Sequence, residues 1–448
     1  MNDPDPSADP GQPFVATLRA AAPYVHAHRE RVFVVAIDGE AIAGGGFERL
    51  CHDIALLHSL GVRLVLVHGA RPQIDAGIRA AGGTPILHGD HRVTDDLALG
   101  CVKAAVGSVR LEIEARLSTS LASTPMGGAR LRVASGNWIT ARPVGVRDGV
   151  DLQHTGELRR VAHQSIAEEL AAGRLALISP VGYSPTGEIF NLRAEDVATA
   201  VAGEIGADKL ILVTPGQPRD LALAAEAGDA GQLSLAAARA ALQRGTLGDD
   251  DRRFLSAAVA AADRGVQRVH LVSDRVDGAL LRELYTHDGC GLLIYADDGY
   301  EGTRAASIDD VGGILQLIQP LEAEGILVPR SREQLELDIG QFQVMVRDGL
   351  VVACHALFPL PGDESAEFAC IAVHPDYRRA GRAARMLAEA EARARQLGIR
   401  CLYTLTTHTP HWFIEHGFER VDPEALPVAR RALYNYQRNS LVLRKQIA

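Results

Sequence analysis

Apolar positions along the chain follow two alternating rhythms. Between Arg31 and Tyr295, short continuous apolar runs alternate with stretches whose apolar residues recur every three or four positions. The runs at 31–37, 63–67, 131–135, 174–178, 209–213, 268–272 and 291–295 read as strands buried on both faces. The stretches between most of them read as helices, such as 47–60, closed by Gly61. Strands without a polar face, joined by helices, predict a mainly parallel sheet covered on both sides, an α/β/α sandwich over residues 14–297. An amphipathic helix over 14–31, interrupted near Pro23, precedes its first strand. The acidic, Pro-rich residues 1–13 predict a disordered tail.

After a polar linker at 298–302 the rhythm changes, and residues 303–448 read as a smaller α+β domain. Residues 306–324 carry a helical apolar stripe. Strands at 342–346 and 350–357 are joined through Arg347-Asp348-Gly349, a hairpin signal. The apolar run Phe368–Val373 is stopped by His374-Pro375, because proline has no N–H for a sheet ladder. A basic loop, Arg378-Arg379-Ala380-Gly381-Arg382-Ala383, leads into a helix with Met386, Leu387 and Ala390 on one face. A strand at 401–406 and a short helix at 412–416 complete the pattern.

Composition narrows the function classes. A length of 448 residues suits two or three domains, and 47% hydrophobic with 23% charged residues suits a soluble globular protein. A net charge of −10 argues against general nucleic-acid affinity. The start has neither a basic region nor an apolar core of a signal peptide, and no apolar run reaches membrane-spanning length. Six cysteines scattered without a C-x-x-C pair read as reduced thiols of a cytoplasmic protein. His88-Gly89-Asp90-His91 and His408-Thr409-Pro410-His411 lack a full ligand set, so no metal is expected.

The strand, basic loop and helix of 368–387 turn backbone N–H groups and a positive helix end toward one point, which suits phosphate or pyrophosphate. The order Arg378, Gly381, Ala383 resembles the (Q/R)-x-x-G-x-(G/A) signature of the GNAT acetyltransferases, and the elements of 303–448 follow that fold. The resemblance implies that Arg378, Arg379, Ala380, Gly381, Arg382 and Ala383 hold the pyrophosphate of acetyl-CoA. Acyl transfer to an amine needs a proton acceptor and donors for the charged oxygen. The N–H groups of Cys370, Ile371, Ala372 and Val373 become the expected donors if their strand splays as GNAT strands do. Glu367, at the start of that strand, becomes the candidate base. The proton donor to the leaving thiolate stays open among Tyr403, Tyr434 and Tyr436.

Residues 30–295 resemble the amino-acid kinase fold, closest to acetylglutamate kinases, without the phosphate-handling groups. The first strand ends in Ala36-Ile37-Asp38-Gly39 where those kinases have Lys and paired glycines. His68-Gly69-Ala70-Arg71 replaces a glycine-rich loop. Asn191-Leu192-Arg193-Ala194-Glu195 stands for N-x-N-A-D, and Asp249-Asp250-Asp251-Arg252-Arg253 for a Lys-bearing segment. Phosphoryl transfer relies on positioned cations, so a scaffold without kinase chemistry is expected. Residues 269–294 resemble the arginine site of arginine-sensitive acetylglutamate kinases. That implies a pocket lined by Ser273, Glu283, Gly289 and Gly291 and closed by the helix around Tyr24.

The two halves together, with the segments 326–333 and 433–440, resemble the bacterial amino-acid N-acetyltransferases, the N-acetylglutamate synthases. The resemblance implies acetyl transfer from acetyl-CoA to the α-amine of L-glutamate at the entry to arginine synthesis, inhibition by L-arginine, and a hexamer. It makes Arg330 and Arg438 the clamps for the two carboxylates, with Ser440 adding a hydroxyl. Two alternatives remain at this point: a bifunctional acetylglutamate kinase and synthase, and a non-catalytic arginine sensor.

Overall fold

β-Branched and leucine-rich runs need partners on both faces, and the strands at 32–37, 63–68 and 209–214 find them. Every residue from Phe33 to Ile37 is buried, as is every residue from Leu64 to His68. A computed structural model describes residues 11–119, 124, 126–129, 131–218, 220–221, 231–286, 289–296, 301–347, 349–360, 362–378, 381–435 and 440–447. It forms two compact units, Met1–Asp297 and Asp298–Ala448.

The first unit is built on an eight-stranded sheet in the order 232–234, 292–295, 268–273, 209–214, 32–37, 63–68, 175–178, 133–135. Its neighbours pair in parallel, except that 292–295 runs antiparallel to 268–273. Hydrophobic cores fill both faces, the arrangement expected of a sheet without a polar side. The strand expected at 131–135 is shorter, Val133–Ser135. The leading helix spans Gly11–His28 and runs through Pro23, which removes one hydrogen-bond donor without ending it. Residues 11–13, read above as tail, belong to this helix.

The second unit is a seven-stranded sheet in the order 301–305, 342–347, 350–359, 365–373, 401–406, 441–446, 419–421. All neighbours are antiparallel except Ser365–Val373 with Cys401–Thr406. The first strand, Glu301–Ala305, begins inside the stretch read as linker. Its Glu301 and Gly302 pair with Arg347 and Val346, which takes the last two residues of 298–302 into the sheet.

Strand 365–373 changes face partway along. Phe368 packs with Leu387, Ala390 and Ala394 of helix Arg382–Gln396, whereas Cys370 and Ala372 pack with Ile314, Leu317 and Ile318 of helix Val311–Ala323. Residues two apart should share a face. The pairing with strand 350–359 slips between Cys354 and Ala356, and Cys370 sits at φ +52°. This bulge adds a residue to one strand and turns the following side chains over.

Candidate functional site

Strands 365–373 and 401–406 pair only at Ser365–Cys401, Ala366–Leu402 and Glu367–Tyr403. Past Glu367 they part, while 401–406 continues its pairing with 441–446 to the end. The N–H of His374 donates to Val352 O at 2.9 Å. Alternation along an extended strand therefore turns the N–H groups of Val373 and Ile371 away from strand 350–359 and toward the opening. Of the four donor residues expected from sequence, the geometry favours these two.

Arg330 lies beside the bulge. Its Nη1 donates to Cys370 Sγ at 2.6 Å and its guanidinium stands 5.8 Å from the centre of the Phe358 ring. Burial raises the Cys370 thiol to about 11, with Arg330 opposing, so this cysteine is a neutral hydrogen-bond acceptor and not a nucleophile. Ser440 is buried at the start of strand Leu441–Gln446, and its carbonyl accepts the Tyr434 hydroxyl at 2.6 Å. Arg438, like Arg379, Ala380 and Tyr436, lies outside the described residues.

Glu367 is held by a residue the sequence did not single out. Arg430 reaches it through Nε at 2.5 Å from Oε2 and through Nη2 at 3.1 Å from Oε1. Both side chains are largely buried, at 18% and 15% exposure. A two-point guanidinium contact fixes the carboxylate plane and leaves each oxygen a further lone pair. Tyr403, facing Glu367, donates its hydroxyl to Ala425 O at 2.9 Å and so ties down the segment that carries Arg430. Tyr403 and Tyr434 each give their proton to a backbone carbonyl, so neither is aimed as a thiolate donor in this arrangement.

The basic loop is organised by Gly381, at φ +67° and N-cap of helix Arg382–Gln396. The first helical bond runs from Arg385 N–H to Gly381 O at 3.1 Å. The N–H groups of Arg382, Ala383 and Ala384 therefore precede the helical ladder and face out of the helix end. Arg378 folds back with Nε 3.4 Å from Val373 O, at the end of the splayed strand. Arg382 departs from the expected role. Its guanidinium turns inward to Glu301 and Tyr377 O, so it offers the loop its backbone and not its charge. Amides beside an open strand and a helix N-terminus fit the carbonyl and the pyrophosphate of acetyl-CoA.

In the first unit the kinase-like cleft is lined by ion pairs of its own. Arg253 Nη2 lies 3.0 Å from Asp38 Oδ2, and its Nη1 lies 3.1 Å from Glu195 Oε1. Both carboxylates sit where the resemblance would put phosphate-handling groups, and they consume the buried cation. Gly39 and Gly69 press together: a Cβ on Gly69 would stand 2.7 Å from Gly39 N. Among the described residues the cleft is lined by Arg71, Arg92, Arg193 and Arg253 but by no lysine. No group of three His, Cys, Asp or Glu among the described residues is arranged to hold a metal.

The expected effector residues divide. Glu283 is buried and accepts from His270 Nδ1 at 2.7 Å, Cys290 N–H at 2.9 Å and Gly291 N–H at 2.7 Å. Burial pushes its carboxyl up, but the His270 contact and the two amides outweigh this and hold it down near 2. Gly289 and Gly291 are required here. A Cβ on Gly289 would stand 2.5 Å from Glu283 Oε2, and one on Gly291 2.2 Å from Leu271 O. Helix 11–28, with Tyr24 half-buried, packs on helix Ala279–Tyr285, which carries Glu283. Ser273 instead accepts from Arg275 N–H and lines a cleft with Phe47, Arg49, Asp53 and Leu280. His270 was not singled out from the sequence, although a polar residue inside the apolar run 268–272 was a signal for it. Arg430 left no comparable signal.

Comparison with known proteins agrees with this division. The amino acid kinase family matches residues 31–217, and the acetyltransferase (GNAT) domain matches residues 338–420. An amino-acid acetyltransferase of Ectopseudomonas mendocina is 51% identical over 440 residues, covering 97% of this chain and 99% of that protein. One from Azotobacter vinelandii is 52% identical over 437 residues with the same coverage. Among solved structures, N-acetylglutamate synthase from Neisseria gonorrhoeae complexed with coenzyme A and L-arginine is 37% identical, with a TM-score of 0.85 over 97% of this chain and 99% of that one. The same enzyme complexed with coenzyme A and N-acetyl-glutamate is 36% identical, with a TM-score of 0.61 and equal coverage. With a GNAT domain that uses acetyl-CoA following an amino-acid kinase domain, the chain belongs to the amino-acid acetyltransferases, the N-acetylglutamate synthase family.

Proposed function

We propose that the second unit transfers acetyl from acetyl-CoA to the α-amine of L-glutamate, and that L-arginine, held by the first unit, inhibits it. The observation that carries the first half is the separation of strands 365–373 and 401–406 just beyond Glu367 and Tyr403. In this reading the amides of Ile371 and Val373 stabilise the carbonyl oxygen as the amine adds. Glu367, oriented by Arg430, takes the amine proton directly or through a water. Arg330, with Arg438 and the Ser440 hydroxyl, receives the two carboxylates of glutamate; a guanidinium matches each carboxylate with two parallel donors. The gonococcal relative bound to N-acetyl-glutamate supports the choice of acceptor.

For the first unit, Glu283 acts by shaping the 289–291 turn, whose remaining backbone groups face the ligand. The gonococcal relative bound to L-arginine supports this reading. Exposed Phe14 and Leu18 on the leading helix support self-association, in line with the hexamer implied by family resemblance. The test is CoA release by the full chain with acetyl-CoA and L-glutamate, with and without L-arginine. Glutamate-dependent release that falls as arginine rises supports both halves. Release indifferent to glutamate contradicts the first, and a rate unchanged by arginine contradicts the second.

A further inference from the structure

Glu301 opens the first strand of the second unit, directly after the stretch that joins the two units, yet its side chain is only 11% exposed. Its Oε2 accepts from Arg382 Nε at 2.9 Å and Arg382 Nη2 at 2.6 Å, and its Oε1 accepts from Arg385 Nη1 at 2.7 Å. Arg347, its partner across the strand pair, is 3.9 Å away. The same assembly reaches the residue before the basic loop. Arg382 Nη1 donates to Tyr377 O at 2.9 Å, and the Arg347 and Arg382 guanidiniums stand 5.3 and 5.4 Å from the Tyr377 ring centre. Tyr377 ends the 3-10 turn Pro375–Tyr377, and Arg382 begins the helix. One carboxylate thus anchors Arg382 after the loop directly, and through it Tyr377 before the loop.

Two arginines in the first turn oppose the positive end of the helix dipole. Glu301 offsets them from another strand and holds their side chains away from the helix mouth, where the free amides are. We propose that Glu301 is a positioning residue for acetyl-CoA: through Arg382 it fixes Tyr377 and the start of helix Arg382–Gln396, the two points between which the basic loop runs. The inference rests on the reading of this loop as the pyrophosphate site.

The experiment compares full-length Glu301→Gln with Glu391→Gln, which breaks the Lys445 ion pair farther along the same helix. Glu301→Gln is expected to raise the KM for acetyl-CoA about tenfold, ~1.4 kcal/mol. The KM for glutamate should stay near that of the parent protein, and Glu391→Gln should leave the acetyl-CoA KM unchanged. An unchanged acetyl-CoA KM in Glu301→Gln, a parallel rise in the glutamate KM, or an equal effect of Glu391→Gln overturns the proposal. Gly381→Val separates the two levels, since it strains the loop itself at a positive φ. If it raises the acetyl-CoA KM while Glu301→Gln does not, the loop assignment stands and the role of Glu301 falls. If neither variant raises it, both fall.

Discussion

Glu367 faces Tyr403 at the last paired register of the one parallel strand pair in the second unit, and the sheet opens immediately beyond them. The carboxylate is therefore at the apex of the opening, and Arg430 clamps it there. The proposed base therefore sits where the two strands separate.

Glu367→Gln removes the proton acceptor while preserving shape. The expected loss in kcat is about 100-fold or more, within the usual range for a general base, with KM values changed only a few-fold. Arg430→Gln frees the carboxylate plane and should cost about tenfold in kcat. Because Arg430 is taken to act through Glu367, the double variant should be no slower than Glu367→Gln alone. Steady-state CoA release measures all three, and additive losses would assign Arg430 a separate role.

Arg330 touches the bulge at Cys370 and is read as one of the two carboxylate clamps. Arg330→Lys keeps the charge and loses the fork. We expect the KM for glutamate to rise by about tenfold or more and the KM for acetyl-CoA to stay within about twofold. An effect confined to acetyl-CoA contradicts the assignment.

Glu283 ties pH to the stability of the first unit. Its carboxyl is held near 2, below the 4.5 of an unperturbed glutamate. A depressed carboxyl stabilises the fold at pH values above the unfolded value, and the stabilisation is lost as pH falls from about 4.5 toward about 2. Glu283→Gln should therefore melt at lower temperature than the parent at pH 7, with the gap closing below pH 4. Calorimetry of both proteins across that range measures it, and a gap independent of pH contradicts the charge-based account.

Arg253 is bonded to both Asp38 and Glu195 in the kinase-like cleft, and no lysine is among the described residues that line it. Incubation with ATP and N-acetylglutamate should give no phosphorylated product above a protein-free control. Measurable phosphoryl transfer would restore the bifunctional reading.

The central strands of the first unit's sheet were legible because they are apolar on both faces, a pattern with few other solutions, whereas the edge strand Gln232–Ser234 is short and polar and left no such trace. The glycines at 289 and 291 were legible as residue types, and their reason, the Glu283 carboxylate and the Leu271 carbonyl packed against them, needed coordinates. Arg430 and Glu301 were not legible. Their partners lie 63 and more than 80 residues away in the chain, and long-range ion pairs leave no periodic trace. Arg382 belonged to a recognisable motif, but only the fold showed its side chain directed to Glu301. The bulge at Cys370 was hidden because an unbroken apolar run reads the same with or without a slipped residue.

The most direct test of the account is acceptor specificity. With acetyl-CoA held constant, kcat/KM is measured by CoA release for L-glutamate, L-aspartate, L-glutamine and L-lysine. The proposed pair of arginine clamps, Arg330 and Arg438, predicts glutamate ahead of each of the others by about 100-fold or more, since a clamp left unpaired is costly. Equal use of glutamine, or preference for lysine, would contradict it.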